Sequence, residues 1–215
     1  MEYMKSMKNN SVNMTLTDIP YGVVTRETNG LDRLAILDTL GSADVVTFNE
    51  IDFCKEVLRV TKGTICIFCS KEQFSTIFNF FAKQKGTTRA IVWEKTNPVP
   101  SNGKYVYLSG VEFAVWFKKS GYPTFNAFCK NTVFQYPIPS GKRRLHKTQK
   151  HWGLWKELIL DNTNEEDIVF DPCAGSGVTA QVAIENNRRY ICCELDKETY
   201  NKSVEYLNKH YIKES

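Results

Sequence analysis

Apolar positions along the chain fall into short continuous runs, separated by longer segments with helical spacing. Val12–Thr17, Thr64–Phe68, Ala90–Trp93, Ile168–Phe170 and Tyr190–Cys193 are β-branched or aromatic runs, each ended by a turn or a polar loop. Runs of this kind read as strands buried on both faces, the mark of a parallel sheet. Val106–Leu108 and Val111–Phe117 predict two further strands, joined by Ser109-Gly110. Helical patterns lie between the runs. Asn49–Lys62 carries Ile51, Cys54, Val57 and Leu58 on one face, and Glu72–Lys85 follows. Gln149–Asp161 carries Trp152, Trp155, Leu158 and Ile159, and Gly177–Asn187 follows a Gly-Ser pair. Lys197–Ile212 repeats Tyr200, Val204, Leu207 and Tyr211 at helical spacing. The alternation predicts an α/β fold, a doubly wound sheet with helices on both faces. Lys119–Leu145 breaks the rhythm with Gly, Pro and aromatic residues and reads as a small insertion.

Composition narrows the class. The chain has 215 residues, 42% hydrophobic and 24% charged, which suits one soluble domain and excludes disorder as the main state. No apolar run approaches the roughly 18 residues of a membrane span. The opening MEYMKSMKNNSVN lacks the apolar stretch of a secretory signal, so a cytoplasmic location is expected. Seven cysteines cannot close a complete disulfide set, and most lie in strand-like runs. Cys66 and Cys69 have zinc spacing, but no second pair follows, so no metal is expected. Small buried side chains in a reducing compartment explain them.

Ligands of doubly wound sheets bind at the carboxyl ends of the strands. After Ile168–Phe170 comes Asp171-Pro-Cys-Ala-Gly175-Ser-Gly177-Val-Thr-Ala180. A glycine-rich turn between strand and helix lets a ligand approach the backbone. Glu194 follows 19 positions after Gly175, at the end of the next strand, where a carboxylate can accept both ribose hydroxyls of an adenosine. Gly175-x-Gly177-x-x-Ala180 also fits a dinucleotide fingerprint, so two nucleotide cofactors remain open at this point. After Val12–Thr17 comes Asp18-Ile19-Pro20-Tyr21. An acceptor, a stiffened backbone and an aromatic plane suit a planar ring bearing an amine. The third segment, Gly141–His151, holds five Lys/Arg and no acid, which suits phosphate contacts.

Together these segments resemble the S-adenosylmethionine-dependent amino-methyltransferases of DNA. Asp18-Ile19-Pro20-Tyr21 stands where that family has D/N/S-P-P-Y/F. Asp171-Pro172-Cys173-Ala174-Gly175-Ser176-Gly177-Val178-Thr179 matches its cofactor turn D-P-F-x-G-S-G-T-T. His146-Lys147-Thr148-Gln149-Lys150-His151 is similar to its H-P-T-Q-K-P. Weaker echoes are Trp93-Glu-Lys95-Thr-Asn97 and Glu112. Amine motif first and cofactor turn last is the permuted order of the β branch. The resemblance implies a Rossmann-like methyltransferase sheet with circularly permuted motif order and a small inserted target-recognition region over residues 119–145.

That resemblance implies methyl transfer to an exocyclic amine of a base flipped out of double-stranded DNA. Asp18 and the Ile19 carbonyl would accept the amine hydrogens, next to Pro20, and Tyr21 would stack on the ring. Asp171, Cys173, Gly175, Gly177, Thr179 and Glu194 would hold the cofactor, with Thr148, Gln149 and Lys150 near its methionine end. Lys150 could instead hold a phosphate. Lys142, Arg143, Arg144, His146 and Lys147 would grip the DNA. Asp18 favours adenine N6; cytosine N4 and a catalytically weak binding module are the alternatives. A target region this short implies a short recognition sequence, or a homodimer that completes it. The net charge of +4 now has a location: outside residues 141–151 the chain carries 23 basic and 24 acidic residues.

Overall fold

The computed structural model describes residues 1–21, 49–100, 103–140 and 149–211. Seven strands form one sheet: β1 (Val12–Asp18), β2 (Thr61–Cys69), β3 (Gly86–Lys95), β4 (Val111–Lys119), β5 (Val133–Tyr136), β6 (Ile168–Asp171) and β7 (Arg189–Cys192). Their spatial order is β5-β3-β4-β2-β1-β6-β7. β4 is antiparallel to both neighbours, β2 and β3. The pairs β1–β2, β1–β6, β6–β7 and β3–β5 are parallel.

The helices are α1 (Glu2–Ser6), α2 (Glu50–Val60), α3 (Lys71–Ala82), α4 (Trp152–Asn162), α5 (Val178–Glu185) and α6 (Lys197–His210). Two apolar layers cover the sheet. Phe53, Val57, Ile77 and Phe81 of α2 and α3 pack with Ile65, Ile67, Val115 and Phe117 on one face. Leu154, Trp155, Leu158 and Ile159 of α4 and Val178 and Val182 of α5 pack with Met14, Leu16, Phe68 and Trp93 on the other. This is the doubly wound arrangement that the strand and helix alternation predicts.

Local chemistry sets the helix starts. Asn49 Oδ1 accepts from the Asp52 N–H and begins α2. Ser70 and Gln73 form a capping box at α3, each side chain serving the other's backbone. His151 Nδ1 accepts from the Gly153 N–H, so α4 begins at Trp152 rather than at Gln149. Gln149 and Lys150 are thereby left outside the helix, at its approach to the sheet.

Three expectations change. Val106–Leu108 is not a strand. The Gly110 N–H turns back to the Leu108 carbonyl, and both edges of β4 are already taken by β2 and β3. Tyr105, Val106 and Tyr107 are consequently exposed. β5 lies within the irregular interval and pairs with β3, Val133 opposite Val92 through Tyr136 opposite Lys95. The interval is therefore partly an edge of the sheet. Finally, Cys129 is exposed, unlike the buried Cys54, Cys66 and Cys69.

Candidate active site

β1 ends at Asp18, and the turn after it is fixed from two sides. The Ile19 N–H donates to the Phe68 carbonyl of β2 at 3.1 Å, and the Ile19 side chain is buried. The Pro20 carbonyl accepts from Gln73 Nε2 at 3.1 Å, so the capping residue of α3 also braces this turn. A proline at position 19 could not donate to Phe68. The hydrogen bond and the buried side chain thus supply the rigidity that the ring would give.

Asp18 stands in a cluster of two carboxylates and two ammonium groups. Lys150 Nζ lies 2.7 Å from Asp18 Oδ2 and 2.7 Å from Glu112 Oε2. Lys95 Nζ lies 2.9 Å from Glu112 Oε1. Lys150 also donates to Tyr21 Oη at 3.2 Å, which uses its third proton. The Tyr21 hydroxyl is 3.1 Å from Asp18 Oδ1 and 3.3 Å from Glu112 Oε2, and its one proton serves one of them at a time. The rings of Tyr21, Phe68 and Trp93 lie 5.4, 5.8 and 6.0 Å from the Lys150 ammonium.

The electrostatics follow from burial and pairing. Burial pushes the Asp18 carboxyl above its ordinary range, and Lys150 pulls part of that back. Burial also acts to raise Glu112, but the Lys150 and Lys95 ammonium groups outweigh it and hold Glu112 low. Burial acts to lower Lys150, yet Asp18 and Glu112 keep it above its usual value. Burial and the two carboxylates push the Tyr21 phenol far up, so it stays neutral.

The glycine-rich turn lies beside this cluster because β1 and β6 pair in parallel, Met14 opposite Val169 and Thr15 opposite Phe170. Asp171 is buried and organises the turn. Its Oδ1 accepts from the Cys173 N–H at 3.1 Å, and its Oδ2 from the Thr179 hydroxyl at 2.5 Å. Beyond the strand ends, the Cys193 N–H donates to the Asp171 carbonyl and the Ala174 N–H to the Cys193 carbonyl, both at 2.9 Å. Glu194 Oε2 accepts from the Gly175 N–H at 2.7 Å, and Oε1 from the Asp196 N–H at 2.9 Å. Gly175 and Gly177 have φ of +50° and +76°, where a side chain would be strained. A Cβ on Gly175 would meet nothing within 4 Å, so the backbone faces open space. A cavity of about 230 Å³ adjoins the turn, lined by Ala174, Gly177, Cys193, Glu194 and Leu207 among others. A bare backbone, an open face and a carboxylate with lone pairs to spare fit a nucleoside cofactor.

The structure thus brings Asp18, Ile19, Pro20 and Tyr21 together with Asp171, Cys173, Gly175, Gly177, Thr179 and Glu194 at one end of the sheet. Gln149 is half-buried beside Lys150. Lys150 is only 5% exposed and lies in the Asp18 cluster, away from any solvent-facing phosphate position. Thr148, Lys142, Arg143, Arg144, His146 and Lys147 lie outside the described residues. The irregular interval divides. Tyr122 Oη meets Asn13 at the start of β1, and Asn126 Nδ2 bonds the Leu160 and Thr163 carbonyls at the end of α4. Both are at the amino ends of the parallel strands, opposite Asp18. Tyr136 is at the site's end: its carbonyl accepts from Trp93 Nε1, and its ring stacks on His151. The roles of Gln73 and Glu112 were not apparent from the sequence. The Ser70-x-x-Gln73 capping pattern was a signal for the first; Glu112 needed the topology. Among the described residues, no helix is long and apolar enough to cross a membrane, and no group of side chains is arranged to hold a metal ion.

Comparison with known proteins gives consistent matches. The N6_N4_Mtase family model, described as DNA methylase, matches residues 12–205. Type II methyltransferase M.HinfI of Haemophilus influenzae is 27% identical, over 92% of this chain and 63% of its own length. The chain therefore spans a little under two thirds of that relative. Type II methyltransferase M2.MboI of Moraxella bovis is 24% identical, over 98% of this chain and 88% of its own. The crystal structure of an M1.HpyAVI–SAM complex is similar with a TM-score of 0.69 and 26% identity, covering 95% of this chain and 92% of that one. PvuII DNA methyltransferase, cytosine-N4-specific, has a TM-score of 0.72 at 18% identity, covering 94% and 81%, a likeness of fold.

Proposed function

The chain belongs to the N6_N4_Mtase family of DNA methylases, and from that premise we propose that it methylates the exocyclic N6 amine of adenine in double-stranded DNA. The methyl donor in this reading is S-adenosylmethionine, which is bound by the related M1.HpyAVI. The observation that carries the reading is the pairing of β1 with β6, which sets the Asp18 turn beside the glycine-rich turn.

S-adenosylmethionine supplies an electrophilic methyl group on a sulfonium. Gly175, Gly177 and Glu194 would hold its nucleoside portion. Asp18 and the Ile19 carbonyl then receive the two amine hydrogens of the target base. An aryl amine is a poor nucleophile because its lone pair is delocalised into the ring. Accepting both hydrogens draws the nitrogen toward tetrahedral geometry and localises that pair. Catalysis is then largely positioning. Extruding the base costs a few kcal/mol, and stacking on Tyr21 returns about 1–3 kcal/mol of that. The Asp18 carboxylate also takes the proton that leaves the amine after transfer.

Target reading is assigned to residues 137–140, which follow β5 at the site's end of the sheet, and to the basic segment that comes next in the sequence. Asn97 Oδ1 accepts from the Ile138 N–H at 2.5 Å and ties the start of this stretch to the loop after β3. A DNA substrate implies work in the cytoplasm of a prokaryotic or phage-infected cell.

The test is incubation of the purified chain with methyl-labelled S-adenosylmethionine and unmethylated DNA, followed by nucleoside analysis. Label in N6-methyladenine is expected. Label in N4-methylcytosine would transfer the assignment to cytosine, and no label in DNA would overturn the proposal.

A further inference from the structure

In this structure the carboxylate expected to receive the target amine is already occupied. Lys150 Nζ lies 2.7 Å from Asp18 Oδ2, and the Tyr21 hydroxyl lies 3.1 Å from Oδ1. Lys150 is 5% exposed, so it cannot release Asp18 into water. A buried ammonium that lost its carboxylate would be an uncompensated charge, which is strongly unfavourable. Glu112 removes that difficulty. Its Oε2 lies at the same 2.7 Å from Lys150 Nζ. Its Oε1 is held by Lys95 at 2.9 Å, which leaves Oε2 for Lys150.

The topology explains how Glu112 arrives there. β4 is the antiparallel strand, so its beginning, not its end, reaches the carboxyl ends of β1 and β2. Glu112 is paired with Trp93 across β3–β4, and the Lys95 N–H donates to the Gly110 carbonyl. Lys95 is therefore a diagonal cross-strand neighbour of Glu112, a placement in which opposite charges meet. With Asp18 and Lys150 the four side chains form a closed group of two positive and two negative charges.

We propose that Glu112, held by Lys95, is a second seat for the Lys150 ammonium. When the target amine takes Asp18 Oδ2, Lys150 keeps its pairing to Glu112, so the buried ammonium is never without a carboxylate, and Asp18 is left with the amine and the Tyr21 hydroxyl as hydrogen-bond donors. Glu112 is a positioning residue: it acts through Lys150 and touches neither base nor cofactor. The inference rests on Asp18 being the amine's acceptor.

The test reads kcat, KM for DNA and the acid limb of the pH profile for Glu112→Gln, Lys95→Met and Asp18→Ala, with calorimetric S-adenosylmethionine binding as the check of folding. The titratable groups facing Asp18 are Tyr21, Lys150 and Glu112, with Cys69 at the end of β2 and Asp171 and Cys173 at the end of β6. Only Glu112 or Lys95 changes in the first two variants. Glu112→Gln leaves Lys150 on Asp18 alone. A fall in kcat of at least tenfold is expected, with the acid limb moved to lower pH, because Glu112's negative charge no longer raises Asp18. Lys95→Met frees Glu112 to draw Lys150 away from Asp18. A smaller loss is expected, with the acid limb moved to higher pH. If Glu112→Gln fails to bind cofactor, the direction of the Lys95→Met shift decides. Unchanged kcat and unchanged acid limbs would overturn the second seat while leaving Asp18→Ala inactive. An active Asp18→Ala, which has no acceptor left for the amine, would overturn the underlying reading instead.

Discussion

The indole N–H of Trp155 donates to Thr179 Oγ1 at 2.8 Å, and this same hydroxyl donates to Asp171 Oδ2. Trp155, on α4, is thereby linked through the first turn of α5 to the residue that shapes the cofactor turn. All three are buried, so none can exchange its partner for water. Thr179→Val keeps the shape and removes the hydroxyl, leaving one donor and one acceptor unsatisfied. Such groups cost about 1–3 kcal/mol each. For a chain of this size a Tm fall of about 5–15 °C is expected. Differential scanning calorimetry measures it, and a Tm unchanged within about 1 °C would break the link.

Asp171 itself makes stability depend on pH. Burial pushes its carboxyl up to about 6, with the Thr179 hydroxyl pulling it partly back. In the unfolded chain the same group titrates near 3.9. Between about pH 4 and 6 the folded chain holds a proton that the unfolded chain has released. Stability from this group therefore falls as pH rises through that window and is flat above it. Asp171→Asn has no such proton. The stability of wild type minus that of the variant should fall by about 3 kcal/mol between pH 4 and pH 7. A difference that rose with pH would mean that the hydrogen bonds outweigh burial.

Glu194 already accepts two backbone N–H groups, from Gly175 and Asp196, which aims its carboxylate at the turn. Each oxygen keeps a lone pair for a ribose hydroxyl. Glu194→Gln replaces an acceptor facing these donors with an amide whose NH₂ opposes one of them. Hydrogen bonds to a charged group contribute about 1.5–3 kcal/mol. The Kd for S-adenosylmethionine should rise about 10- to 100-fold by calorimetry, with cofactor-free DNA binding unchanged. A Kd within twofold of wild type would remove Glu194 from the cofactor site.

What was legible from sequence alone was local. Asp18 and Asp171 each end a short apolar run, and the glycines that follow Asp171 need no tertiary context to mark a turn. The resemblance of both segments to one family's motifs placed them in one site before any strand order was known. Glu112 was only a faint echo, because its place depends on β4 running against its neighbours, a non-local choice. Lys150 belonged to a run of cations that suits phosphate contacts, with the resemblance setting it near the cofactor's methionine end, and nothing local distinguishes the one that is buried against Asp18. β5 alternates exposed and covered residues over only four positions, too short a pattern to separate from loop. Tyr105–Tyr107 shows the converse: an apolar run for which the strand that follows it, β4, had no edge left.

The remaining cations of that run carry the last prediction. In the sequence, Lys142, Arg143 and Arg144 stand between two described residues at the site's end of the sheet. Ile138 is hydrogen-bonded to Asn97, and Lys150 is in the Asp18 cluster. Lys142, Arg143 and Arg144 are three of the five cations that give the chain its positive charge. A cation that neutralises a phosphate releases a counterion, worth about 0.9 in the slope of log K against log salt. Replacing all three with glutamine should weaken DNA binding at low salt and make that slope shallower by about 2–3. Cofactor affinity should not change, since the cation nearest the site, Lys150, is retained. Fluorescence anisotropy with a labelled duplex across a salt series measures the slope. An unchanged slope would mean that these side chains face solvent and that the DNA is held elsewhere on the chain.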